Sequence, residues 1–299
     1  MSRALPSGSR ASMMAAGLIG ALAPDLDSIS RLWEPLATIT AHRSATHSFI
    51  GGAVIALATA GLVRAFTREK FLGLLGFAYA GLLTHIGLDL LTSFGTAVLW
   101  PLSARRFFLA QHYIFDPIIS VLTVAFLLAT FRLKEKRTLA ATIGLVGILS
   151  YVLIAGIQQR TAFSRWQGYL ESQGIKHTRS AVIPLFPGPF RWLGVSETKE
   201  AFYQQPFLLY GPPPKTLRMF SKTGVDLAHL EKLREVQLFL SFARFPWRQV
   251  WKEGSFWVIE YQELAFADHP LGILGGPLSL RIWIDESNSV RKVELGHRF

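Results

Sequence analysis

Eight ionisable residues at the ends of apolar stretches have types and spacings suited to chemistry: Asp25-x-Asp27, His42-x4-His47, His85-x3-Asp89 and His112-x3-Asp116. They are all the aspartates and histidines of the first 160 residues. An Asp at the centre of a membrane helix costs roughly 2.5–3.5 kcal/mol on insertion scales, so eight such groups need a compensating purpose. Imidazole and carboxylate together are a ligand set for divalent metals. The sequence therefore reads first as a metal site built into a membrane bundle.

Each pair also has a plainer role. His85 and Asp89 are one helical turn apart and share a face, so both can meet one ion; a simple His–Asp hydrogen bond is the alternative. Asp25 and Asp27 follow Pro24 in a loop, where both carboxylates can turn inward or Asp27 can cap the next helix. His42 and His47 stand about 140° apart round a helix, so His42 is expected on the loop and His47 in the first helical turn. Asp116 precedes Pro117 at a helix start, the usual cap-then-proline arrangement, and capping does not exclude ligation. His112, in the loop before it, can equally contact substrate. The candidate ligands are thus Asp25, Asp27, His42, His47, His85, Asp89 and Asp116. Zinc or manganese is expected over calcium because imidazole is present. If left uncoordinated, Asp27 would act as general base. Arg43 has a fork that matches phosphate or carboxylate and would steady developing negative charge; its alternative is to snorkel at headgroup level. Arg105 and Arg106 are expected to contact lipid phosphates.

The elements that must position these residues are membrane helices. Half of the residues are hydrophobic, 17% are charged and the mean hydropathy is +0.31. Four stretches, His47–Phe66, Phe71–Leu91, Ile114–Phe131 and Thr138–Ile157, approach the about 20 residues that cross a bilayer. A fifth, Ala11–Pro24, is shorter and must tilt, start earlier or stop part-way. No cleavable signal peptide is expected. The net charge of +11 does not point to nucleic acid, because cations concentrate in two short loops: Arg64, Arg68 and Lys70, then Arg132, Lys134, Lys136 and Arg137. Such loops stay in the cytoplasm. All the Asp/His clusters then reach the opposite, outer face, and the short first segment, with Arg3 and Arg10 before it, agrees. The absence of cysteine excludes thiolate sites and disulfides.

Beyond residue 160 the pattern changes. Prolines cluster at Pro184, Pro187, Pro189 and Pro212–Pro214, and Thr161–Gln173 reads as an amphipathic helix leaving the membrane. Val236–Phe242, Phe256–Phe266, Leu278–Asp285 and Val290–Leu295 alternate as half-buried strands do. The expected fold is an α-helical polytopic membrane bundle, four long helices plus one short, over residues 1–159. An extramembrane α+β domain with an antiparallel sheet is expected over 160–299, on the outer face.

Four motifs in order resemble one family. They are Pro24-Asp25-Leu26-Asp27, His42-Arg43-Ser44-Ala45-Thr46-His47-Ser48, His85-x3-Asp89-Leu90-Leu91-Thr92-Ser93-Phe94-Gly95-Thr96, and Trp100-Pro101 with Phe115-Asp116-Pro117. Together they resemble the YdjM-type inner-membrane proteins described as metal-dependent hydrolases. The resemblance implies a multi-pass bacterial inner-membrane protein with its metal site in these Asp and His residues; the cationic loops imply that this outer face is the periplasmic one. Family members usually begin with a further helix carrying Thr-His-x3-Gly. No histidine precedes residue 42 here, so a ligand is expected to be missing or supplied upstream, with incomplete metal loading.

The leading functional expectation is hydrolysis of an ester or phosphoester of a membrane lipid or lipid-linked substrate by a metal-activated water. A second class is non-catalytic: a metal that ties helices together, a transporter or a partner-binding protein. A di-iron oxygenase is disfavoured because the region has no adjacent His pair. Oligomeric state is not legible.

Overall fold

The computed structural model describes residues 7–33, 41–214, 216–222, 227–266 and 278–296; Arg3 lies outside them. The chain divides into two compact units, Met1–Leu109 and Ala110–Phe299.

The first unit holds α1 (Ser7–Leu22), a 3-10 segment (Ala23–Leu32), α2 (Phe49–Phe66) and α3 (Phe71–Leu91). The short apolar segment starts earlier than Ala11, and its α-helical part stops at Leu22. Pro24 stands in the first turn of the 3-10 segment, where its missing N–H costs nothing. Ser48 starts α2 by accepting the Gly51 N–H at 2.9 Å. Small residues bring the helices together. A Cβ on Gly20 would sit 2.2 Å from the Ala78 carbonyl oxygen, and one on Gly81 would sit 2.1 Å from that of Gly17. Met13, Ala16, Ala56, Ala60, Leu74 and Ala78 form the core between the three helices. This is the small-residue packing by which apolar helices associate in lipid.

In the second unit, α4 (Pro117–Arg132) and α5 (Arg137–Ser172) precede two four-stranded antiparallel sheets. The expected third long segment is only 16 residues, because Asp116 caps it and Pro117 opens it. At 1.5 Å per residue it rises about 24 Å, short of a core of about 30 Å. Among the described residues, three helices rather than four are long and apolar enough to span a bilayer, with α4 a shorter apolar helix. The expected fourth segment and the amphipathic stretch after it are one unbroken helix, α5.

The first sheet runs β1 (Arg179–Pro184), β2 (Arg191–Glu197), β3 (Ala201–Leu208) and β4 (Arg218–Ser221). Its residue Gly194 lies against α5, where a Cβ would meet the Trp166 ring at 2.3 Å. Trp166 is buried, stacks on Phe207 and donates from Nε1 to Ser196 Oγ at 2.8 Å. The second sheet runs β5 (Pro246–Glu253), β6 (Phe256–Glu263), β7 (Ser279–Ile284) and β8 (Val290–Gly296). Three of its strands match the expected alternating runs. The fourth expected strand, Val236–Phe242, is instead part of α6 (Arg234–Phe242). Its buried residues are Val236, Phe239 and Phe242, a spacing of three that a helix face satisfies and a strand does not. Ile183, Leu193, Val195 and Phe202 of the first sheet form a core with Phe245 and Leu264, which flank β5 and β6.

Candidate metal centre

Three helix ends of the first unit meet. Asp25 and Asp27 follow the C-terminus of α1, His47 precedes α2, and His85 and Asp89 occupy the last turns of α3. Asp25 Oδ1 stands 3.3 Å from His47 Nε2 and 3.5 Å from His85 Nε2. Asp89 Oδ2 stands 3.5 Å from His47 Nε2 and 3.6 Å from His85 Nε2. Each imidazole nitrogen thus faces both carboxylate oxygens.

These separations test the fit of a metal. Zinc held tetrahedrally at about 2.0–2.1 Å spaces its ligand atoms roughly 3.3–3.4 Å apart. The four carboxylate–imidazole edges, 3.3–3.6 Å, lie near that spacing; Asp25, His47 and His85 form a three-residue group whose ligand atoms lie within 4.8 Å of one another, and Asp89 faces its two imidazoles. His85 Nε2 and Asp89 Oδ2 are buried and have no hydrogen-bond partner among the described residues. Two orphaned, complementary polar atoms at the end of apolar helices would be costly by themselves; a cation satisfies both. His47 is fully buried, whereas the Asp25 side chain is 56% exposed and forms the open side of the cluster.

A second group, Asp27, His42 and His47, shares His47 with the first. Asp27 Oδ1 lies 2.6 Å from His42 Nδ1. Its Oδ2 accepts from Thr46 Oγ1 and stands 3.6 Å from His47 Nδ1. His47 therefore offers Nε2 to the four-group cluster and Nδ1 to Asp27 and Thr46, the outer support that orients a ligating imidazole. Burial raises the Asp27 pKa, but bonds from His42, His47 and Thr46 outweigh it and hold the carboxyl well below the usual range. The Asp25 carboxyl is also lowered, chiefly by its bond to His47, with burial opposing.

Arg43 is buried at φ 60°, a left-handed conformation costly for a side chain of this size and retained where surroundings over-determine it. Its Nη2 holds Asp89 Oδ1 at 2.9 Å and its Nη1 donates to Thr92 Oγ1 at 2.7 Å. Arg106, expected at lipid phosphates, turns inward instead. It donates to the Gly95 and His42 carbonyls at 3.0 and 3.1 Å, because those buried loop carbonyls need donors. Burial, with the nearby Arg43 charge, brings its pKa down to about 10. Thr46, Thr92 and Arg106 were not assigned these roles from sequence, although the first two lie inside the quoted motifs.

Asp116 lies in the second unit. Its Oδ1 accepts the Ile118 N–H at 2.9 Å and the Ile119 N–H at 3.2 Å. Its Oδ2 takes His112 Nδ1 at 2.9 Å and the Tyr151 hydroxyl at 2.8 Å. Capping is therefore accompanied by a His–Asp–Tyr group that sequence reasoning, blind to Tyr151, saw only in part.

Fold and site define a membrane protein of apolar helices with a candidate Asp/His metal centre at its helix ends. The family model described as YdjM inner membrane protein matches residues 1–162, and the chain belongs to that family. Searches of curated proteins and of solved structures return no match.

Proposed function

We propose that the protein is a multi-pass, membrane-bound metal-dependent hydrolase. Asp25, His47, His85 and Asp89 would hold zinc or manganese, and the substrate is an ester or phosphoester of a lipid or lipid-linked molecule. One observation carries the reading: His85 Nε2 and Asp89 Oδ2, buried and without a hydrogen-bond partner among the described residues, face each other at the helix ends beside Asp25 and His47. A bound divalent metal supplies a lowered pKa for water and polarises an ester or phosphoryl oxygen. Arg43, with both terminal nitrogens engaged, fixes Asp89. Asp27, with His42 on its Oδ1, is the proton acceptor beside the cluster. The cationic loops support a periplasmic position for the cluster under the positive-inside rule.

A second reading has its own observation. Two carboxylates facing the same two imidazoles resemble a closed structural site, which would tie helix ends without catalysis. Purified chain in detergent, assayed with bis-p-nitrophenyl phosphate, p-nitrophenyl butyrate and phospholipid vesicles, separates the two. The hydrolase reading expects turnover that disappears on metal removal, returns on re-addition and is absent in His85→Ala. Bound metal with no turnover of any probe would favour the structural reading.

A further inference from the structure

The turn joining β1 to β2 reads Leu185-Phe186-Pro187-Gly188-Pro189-Phe190, an apolar run without a charge. Its two prolines have no N–H to satisfy. The N–H groups of Leu185, Gly188 and Phe190 donate to the carbonyls of Arg191, Leu185 and Gly188 at 2.8–3.0 Å. The Pro189 carbonyl accepts from Trp192 Nε1 at 2.9 Å, and the Phe190 carbonyl accepts the Leu209 N–H at 2.8 Å. Irregular backbone is tolerated at membrane depth where its polar groups are met inside the protein.

The contacts of the turn set its depth. A Cβ on Gly188 would stand 3.5 Å from the Tyr151 hydroxyl oxygen and 3.6 Å from Ile118 Cδ1. Tyr151 precedes Ile157, where the apolar run of α5 ends, by about 9 Å along the helix axis. Helical side chains lean toward the N-terminus, which for α5 is the end at the cationic loop. The Tyr151 hydroxyl therefore lies below the end of the apolar run, and the turn reaches down to it. Beside the turn, Phe190, Leu208 and Tyr210 are 49%, 53% and 75% exposed. Arg191 stands opposite Leu208 across β2 and β3, so the three share one end of the first sheet. We propose that this end is seated in the bilayer: the turn and Phe190 enter the leaflet, Leu208 meets acyl chains, and Tyr210 stands at headgroup level, as interfacial tyrosines do. The proposal rests on α5 crossing the membrane, and not on metal or hydrolysis.

The chain has no cysteine, so single cysteines carry a fluorophore without further change. Phe190→Cys and Leu208→Cys are labelled in the full chain and reconstituted into phosphatidylcholine vesicles. Quenching is read with phosphatidylcholine spin-labelled near the top of its acyl chain, and with aqueous iodide. Leu153→Cys, exposed in the apolar run of α5, is the lipid control, and Met219→Cys, exposed on β4, is the aqueous control. The labels at 190 and 208 should lose fluorescence to the spin-labelled lipid as the label at 153 does, while the label at 219 loses it to iodide alone. Labels at 190 and 208 that behave like the one at 219 would overturn the proposal and leave α5 in the membrane. Protection from both quenchers would overturn it by assigning this end to a protein partner. A label at 153 untouched by the lipid quencher would overturn it together with the membrane reading of α5.

Discussion

Asp89 serves two masters: Oδ1 is held by Arg43 and Oδ2 is left bare toward His47 and His85. Asp89→Asn keeps the size but weakens ligation, so it should fold and insert yet lose metal by elemental analysis. Combined with His85→Ala it should lose no more than either change alone, because one cage is opened only once. A plain His–Asp hydrogen bond predicts otherwise: metal content unaffected, and partial recovery of stability in the double variant. Arg43→Gln should lower metal affinity about 10–100-fold, the usual effect of losing an orienting partner, measurable by competition with a chelator. Asp27→Asn, which also loosens the support of His47, should lower turnover by about 10²–10⁴-fold in metal-saturated enzyme, beyond its effect on metal affinity. The residue types and the His85–Asp89 pairing were legible in the sequence, since one turn of helix sets their face. Arg43's role was not. Its left-handed backbone and its contacts with Asp89 and Thr92 depend on residues about 50 positions away becoming neighbours.

The elements converge because small residues let them. Gly81 stands one turn before His85, and Gly17 and Gly20 precede Asp25 on α1. Gly81→Ala would drive a Cβ to 2.1 Å from the Gly17 carbonyl oxygen. It should part the two helices and reduce metal content without touching a ligand. Gly194→Ala should destabilise the second unit by about 1–3 kcal/mol, read as an earlier denaturation midpoint, since the added methyl meets the buried Trp166 ring. The long apolar segments were legible because length and hydropathy alone announce them. Misreadings arose where local pattern and packing diverge. Val236–Phe242 alternates in sequence but buries every third residue. The first sheet was missed because its strands carry Pro184, Pro206 and several charges, which mute the period-two signal. Pro117 shortened the third apolar helix, although the apolar run begins before it.

For the molecule in its membrane, the two cationic loops predict residues 64–70 and 132–137 inside and the metal cluster outside, a topology that requires the 16-residue α4 to cross as well. The chain has no cysteine, so single cysteines at 68 and 135 should resist a membrane-impermeant maleimide in intact cells, while one at 177 should react. Labelling of the first pair alone would invert the topology and move the cluster to the cytoplasmic side. The second unit has a separate acid sensitivity. Burial tends to raise the Glu197 pKa, but Lys222 and Arg179 outweigh it and lower it below 4.5. That stabilisation is present above 4.5 and lost as pH falls through the lowered value; Glu197→Gln should remove this part of the acid-side loss in a thermal-melt series. The central claim is that Asp25, His47, His85 and Asp89 form one metal centre. Both imidazoles face both carboxylates at 3.3–3.6 Å. Elemental analysis of the purified, folded chain tests it most directly. The account predicts about one zinc or manganese per chain, a four-ligand complement, and a near-empty Asp89→Asn/His85→Ala variant of equal fold. Wild type and variant carrying the same metal content, with both folded, would contradict it.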